Sequence, residues 1–140
     1  MKPLLVGESN PYGANPEFAL YPAPRGCSGD RLCRLVLRMD PDAYLDAFER
    51  VNLCAGKWSM KAARARAGEL LASRAAGVTV LLGARVCNAF GLAFVPFSVV
   101  PGGDQVVAIL PHPSGLSRAW NEPGAYDRAR SVLISAGAIS

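Results

Sequence analysis

Apolar residues in this chain gather in short continuous runs rather than alternating with polar ones. Leu4-Leu5-Val6 is the first run, and Arg50-Val51-Asn52-Leu53 is a weaker second. Val78-Thr79-Val80-Leu81-Leu82 and Val106-Val107-Ala108-Ile109-Leu110 follow. Continuous runs suit strands covered on both faces, as in a parallel sheet. The segment 94–100 offers a further strand, which Pro96 would confine to an edge or a loop. Helical spacing fills the intervals. The segment 28–39 places Leu32, Leu35 and Met39 on one face, and Pro41 opens a short helix to Phe48 behind an Asp40 cap. Ser59 caps a helix that runs to about Ala75 and stops at Gly77, the segment 84–90 ends at Gly91, and a last helix covers about 125–133. Strands alternating with helices predict a single α/β domain spanning residues 1–140. It would be a three-layer sandwich around a mostly parallel sheet of about four strands.

Composition narrows the class. A chain of 140 residues supports one core, and 51% apolar against 19% charged residues marks it as folded rather than disordered. Fifteen basic and eleven acidic residues leave a net charge of +4, which permits a polyanionic partner without demanding one. A single histidine excludes any site that needs two imidazoles. Cys27, Cys33, Cys54 and Cys87 show no C-x2-C spacing, so each reads as a small buried apolar residue. The first apolar run stops at Gly7-Glu8, unlike a secretory signal, and no later run approaches the length of a membrane span. A cytoplasmic monomer without membrane attachment, metal or cofactor is expected.

In an open parallel sheet, ligands bind beyond the carboxyl ends of the strands. Gly7-Glu8-Ser9-Asn10-Pro11-Tyr12-Gly13 follows the first run, and Asn52 lies near the end of the second, which leads to Gly56-Lys57-Trp58-Ser59. Gly83-Ala84-Arg85 follows the third, and Pro111-His112-Pro113-Ser114-Gly115-Leu116-Ser117-Arg118 the fourth. A carboxylate, two amides, the lone histidine and several hydroxyls would therefore converge on one rim. The Pro/Gly-rich stretch from Pro11 to Gly29 reads as a long functional loop. The lysines and arginines of the 59–75 helix, Lys61, Arg64 and Arg74 among them, read mainly as a solvated face.

These rim motifs also resemble, in order, those of the uracil-DNA glycosylase superfamily. G-E-S-N-P-Y-G is similar to its water-activating loop, Val51-Asn52-Leu53 to the strand whose Asn reads the base edge, and Leu82-Gly83-Ala84-Arg85 to a strand-to-helix turn. His112-Pro113-Ser114-Gly115-Leu116-Ser117 resembles its H-P-S loop, which inserts into the DNA minor groove. The resemblance covers residues 4–120.

It implies an enzyme that flips a nucleotide out of DNA and hydrolyses the N-glycosidic bond. Such cleavage builds positive charge on the sugar and negative charge on the departing base. His112 would donate to the base carbonyl as that charge accumulates. Asn52 would match the hydrogen-bonding edge of the base. Glu8 or Asn10 would hold the water: counting from Gly7 favours Glu8, counting back from Pro11 favours Asn10, and both stand as candidates. Tyr12 would exclude a base substituted at carbon five, and Phe18 (or Tyr21) would stack on the flipped base. Leu116 would wedge into the base stack. Ser114, Ser117, Ser9 and Ser59 would meet phosphates, Gly115 would lie in the same DNA-binding loop, and Lys57, Arg118, Arg64 and Arg25 would attract the backbone.

The chain departs from the iron–sulfur branches. The first strand leaves no room before it for their first cysteine pair, and Cys54 sits at an unusual offset from Asn52, so no cluster is expected. No lysine stands beside the motifs to support a lyase step. The implied activity is a monofunctional glycosylase acting on uracil. The alternatives are another damaged or modified base, including a modified phage base, or a non-catalytic binder of DNA or protein with the same fold.

Overall fold

The structure, a computed structural model, describes residues 1–9, 15–74 and 76–140. Five strands form one sheet: β1 (Leu4–Ser9), β2 (Glu49–Cys54), β3 (Gly77–Leu82), β4 (Ser98–Gly102) and β5 (Gln105–Leu110). Their spatial order is β2-β1-β3-β5-β4. β2, β1, β3 and β5 run parallel, and β4 pairs antiparallel with β5 at the edge. The expectation of about four strands is thus corrected to five. The extra strand starts later than the 94–100 segment suggested. Pro96 precedes it, and Pro101 lies within it, tolerated because an edge strand can leave one side unpaired.

Side-chain alternation along these strands builds two cores. Leu5, Val80, Leu82, Ala108 and Leu110 face one layer, made by the segment 28–37, α2 (Pro41–Ala47) and α5 (Ala125–Ala136). Leu4, Val6, Leu53, Leu81 and Ile109 face the other, made by α3 (Met60–Ser73) and α4 (Ala84–Ala89). The central strands β1, β3 and β5 are apolar on both sides because both sides are covered, which explains their continuous runs, whereas β2 and β4 at the edges are more exposed. The result is a three-layer α/β sandwich around a mostly parallel sheet.

The helix expected over 28–39 takes a different course. Only α1 (Ser28–Arg31) is α-helical, and Leu32–Leu37 continues it as a wider π-type turn. The wider repeat moves the buried face to Leu32, Cys33, Val36 and Leu37, leaving Leu35 half-buried instead of central. Three of the four cysteines, Cys33, Cys54 and Cys87, are buried, and Cys27 is half-buried. Burial pushes the Cys87 thiol up to about 11. No helix among the described residues is long and apolar enough to cross a membrane.

Arg74 also departs from expectation. Instead of joining a solvated face it turns inward at the amino ends of the strands and is only 8% exposed. Its guanidinium donates to Glu49 Oε2 at 3.0 Å and to the carbonyls of Lys2 and Val78 at 3.2 and 3.4 Å. Its own carbonyl accepts from Gln105 Nε2 at 2.6 Å. One residue thereby ties β1, β2, β3 and β5 together at the end opposite the candidate site. Glu49 is largely solvated, so most of the stabilisation comes from the buried stem and the two carbonyl bonds. Arg74→Ala is expected to lower stability by about 1–3 kcal/mol. Arg74→Met, which keeps the stem, should recover part of that loss in urea denaturation.

Candidate active site

The chain runs from β1 to β2 on one side and later returns to place β3 on the other. The direction of winding reverses at β1, so a crevice opens beyond its carboxyl end. Glu8 and Ser9 end that strand and line a cavity of about 270 Å3 together with Asn52, His112, Phe18 and Tyr21. Residues predicted from different strands therefore meet in one pocket.

Asn52 reaches the pocket because Gly7 lies beside it. The two are register partners across β1 and β2, and a methyl group on Gly7 would collide with Asn52 Oδ1. The Asn52 amide has no hydrogen-bond partner among the described residues. It lines the cavity with its donors and acceptor unspent.

The segment 15–29 closes the pocket on the opposite side. Arg50 of β2 donates to the carbonyls of Glu17 and Ala19 at 3.1 and 2.8 Å, and buried Tyr44 donates to that of Leu20 at 2.8 Å. Gly29 lets α1 press against the backbone of Leu20 and Tyr21, where any Cβ would strike both carbonyls. So pinned, Phe18 and Tyr21 meet edge to face with centroids 5.6 Å apart, and both rings line the pocket. Cys27, Ser28 and Gly29 complete that wall.

His112 stands just past β5 on a braced loop. Its carbonyl accepts from Trp120 Nε1 at 2.7 Å, and Trp120 stacks on Tyr126 at 5.3 Å. Arg31 donates to the Pro113 carbonyl and to the Tyr126 hydroxyl, each at 3.0 Å. Gly83 has a positive φ of 103°, and a Cβ there would sit 3.2 Å from that of His112, so glycine again makes room for a site residue.

The ring is oriented by its own loop. The backbone N–H of Ser114 donates to His112 Nδ1 at 3.1 Å, which puts the proton of the neutral ring on Nε2. Nε2 lies 3.9 Å from Glu8 Oε2, beyond hydrogen-bond range. Burial holds the imidazole below its usual value, with the Arg85 guanidinium acting in the same direction and Glu8 opposing both. The ring is thus a neutral donor facing the cavity.

A second, shallower depression of about 390 Å3 shares Glu8 and His112 with the first and adds Arg85, Ser114, Leu116 and Ser117. Leu116 is 93% exposed at the tip of a tight turn, where its N–H donates to Ser114 Oγ at 3.1 Å. Gly115 is exposed and packs near the Arg31 guanidinium, and Arg118 is exposed at the start of the next turn. Lys57 and Ser59 are exposed and line neither cavity, and the Ser59 hydroxyl is engaged in capping α3 through the Ala62 N–H. Asn10 and Tyr12 lie outside the described residues. Arg85, Arg31 and Trp120 were not singled out as site residues in the sequence. The signal for Arg85 was its place two residues beyond the glycine that ends β3.

Compared with known proteins, the chain matches no family model, and no curated protein is similar enough to count as a match.

Because His112 is the lone histidine, its ring can be followed by NMR without assignment ambiguity. Its titration midpoint should fall below the roughly 6.5 of a free imidazole. Arg85→Gln removes a cation that disfavours protonation, so the midpoint should rise. Glu8→Gln removes the opposing carboxylate, so it should fall further.

Proposed function

We propose that this protein is a monofunctional DNA glycosylase that extrudes a base and hydrolyses its N-glycosidic bond, with uracil as the first base to test. The supporting observation is the meeting of Glu8, Asn52 and the Nε2 side of His112 around one ring-walled pocket.

Each group suits one part of the reaction. As the bond to the sugar breaks, its electron pair passes to the base, and His112 Nε2–H donates to the base carbonyl that carries the new charge. Asn52 offers one acceptor and two donors to the base edge. The Glu8 carboxylate favours the cationic sugar, orients the water whose oxygen bonds to the anomeric carbon and accepts the proton that water loses, while the released base anion takes up a proton from solvent. Phe18 and Tyr21 supply aromatic faces for the base. Leu116, fully presented beside the pocket mouth, suits insertion into the gap left in the stack. No lysine among the described residues lines either cavity, in keeping with hydrolysis without strand cleavage.

Oligonucleotides carrying single uracil, hypoxanthine, damaged pyrimidine or bulky 5-substituted cytosine residues provide the test. Uracil release that leaves an intact abasic strand is expected. Release of the bulky cytosine alone would replace uracil as the substrate, and tight DNA binding without any release would leave only a binding module. His112→Ala should slow release by about two orders of magnitude or more, the scale of losing one preorganised donor to a developing anion. Asn52→Asp, which exchanges amide donors for acceptors, should shift base selectivity, measured as the ratio of release rates across the same panel.

A further inference from the structure

The two cavities differ in chemistry although they share a wall. The enclosed one carries aromatic rings and an unspent amide. The open one carries a guanidinium and the hydroxyl residues Ser114 and Ser117. Arg85 is exposed, and its Cζ sits 5.8 Å from the Trp58 ring centroid, which limits its freedom without neutralising it. No salt bridge to Arg85 occurs among the described residues. A cation steadied by an aromatic face, beside hydroxyls in a cavity that shares Glu8 and His112 with the pocket, is suited to an anion attached to whatever fills that pocket.

Building on the glycosylase reading, we infer that Arg85 is a binding residue for the phosphodiester of the extruded nucleotide itself, seated in the open cavity between His112 and the Ser114–Ser117 turn. The planar guanidinium takes the phosphate oxygens while the attached base enters the ring-walled pocket. Ser114 Oγ already accepts the Leu116 N–H, so its own proton is available to a phosphate oxygen. This gives Arg85 a task separate from general attraction to DNA: it sets how deep the nucleotide sits against Glu8 and His112. Its field also disfavours a proton on His112.

The test is a double substitution across the interface. Binding of the full chain to a duplex containing a tetrahydrofuran abasic analogue is measured with either a normal phosphate or an uncharged methylphosphonate at that nucleotide. Arg85→Gln should weaken binding to the normal duplex by about tenfold and lower the salt slope by about one, as expected for losing one phosphate contact. The methylphosphonate should weaken the unaltered protein by a similar factor, and combining the two changes should cost no more than either alone. Arg85→Lys should recover part of the loss. Fully additive losses, or no loss with Arg85→Gln, would overturn the assignment while leaving the glycosylase reading in place. Failure of the unaltered protein to bind any of these duplexes would overturn both.

Discussion

Gly7 and Gly83 have no side chains, and two polar groups of the candidate site occupy the space this leaves. The Asn52 amide lies over Gly7, and the His112 ring root lies over Gly83. Gly7 lies inside β1 near its carboxyl end and Gly83 just past β3, so the vacancies open toward the carboxyl rim where β1 separates β2 from β3. A side chain at either position would push a polar group out of the pocket or part the strands. Close packing in the sheet and chemistry at its rim thus depend on the same two absences.

Around those vacancies the molecule spends its stronger hydrogen bonds on backbone rather than on the reactive groups. Trp120 and Arg31 hold the carbonyls of His112 and Pro113, while Arg50 and Tyr44 hold those of Glu17, Ala19 and Leu20. Asn52, Glu8 and His112 Nε2 remain without such commitments among the described residues. Fixing the backbone while leaving the side-chain tips unspent is what preorganisation requires, since a tip already bonded within the protein would have to break that bond to meet a ligand. The amino ends of the strands are treated oppositely. There Arg74 and Gln105 turn their polar atoms inward on protein partners and tie the sheet together.

Much of this was legible in the sequence because the relevant signals were local. Runs such as Val78–Leu82 and Val106–Leu110 announce doubly covered strands, and the polar residues just beyond them fall at the rim by geometry alone. Features set by long-range contact were not legible. The π-type turn at Leu32–Leu37 leaves no regular spacing, so the periodicity pointed to Leu35 where the fold buries Val36 and Leu37. The edge strand carries Pro101 and pairs only through β5, so the sequence offered an edge strand or a loop there and set it several residues early. Arg74 looks like any helix arginine until Glu49 and two distant carbonyls are brought to it. Cys27 to Gly29 fell within the stretch read as a functional loop, but which of its residues line the pocket depends on how closely α1 approaches Tyr21.

The charge state of His112 connects the geometry to the proposed chemistry. A protonated ring 3.9 Å from Glu8 would be drawn into an ion pair, and that pair would take both groups out of the cavity they line. Burial and Arg85 act against the proton, and only Glu8 acts for it. The Ser114 N–H strengthens the same outcome by occupying Nδ1, the nitrogen that would have to gain a proton. The N–H of a neutral imidazole makes a stronger hydrogen bond once its acceptor becomes anionic. That favours a departing base over one still bonded to its sugar, the difference on which catalysis depends. Holding the ring neutral therefore does two things at once: it keeps the slot between His112 and Glu8 open, and it reserves the donor's strength for the state in which charge has moved.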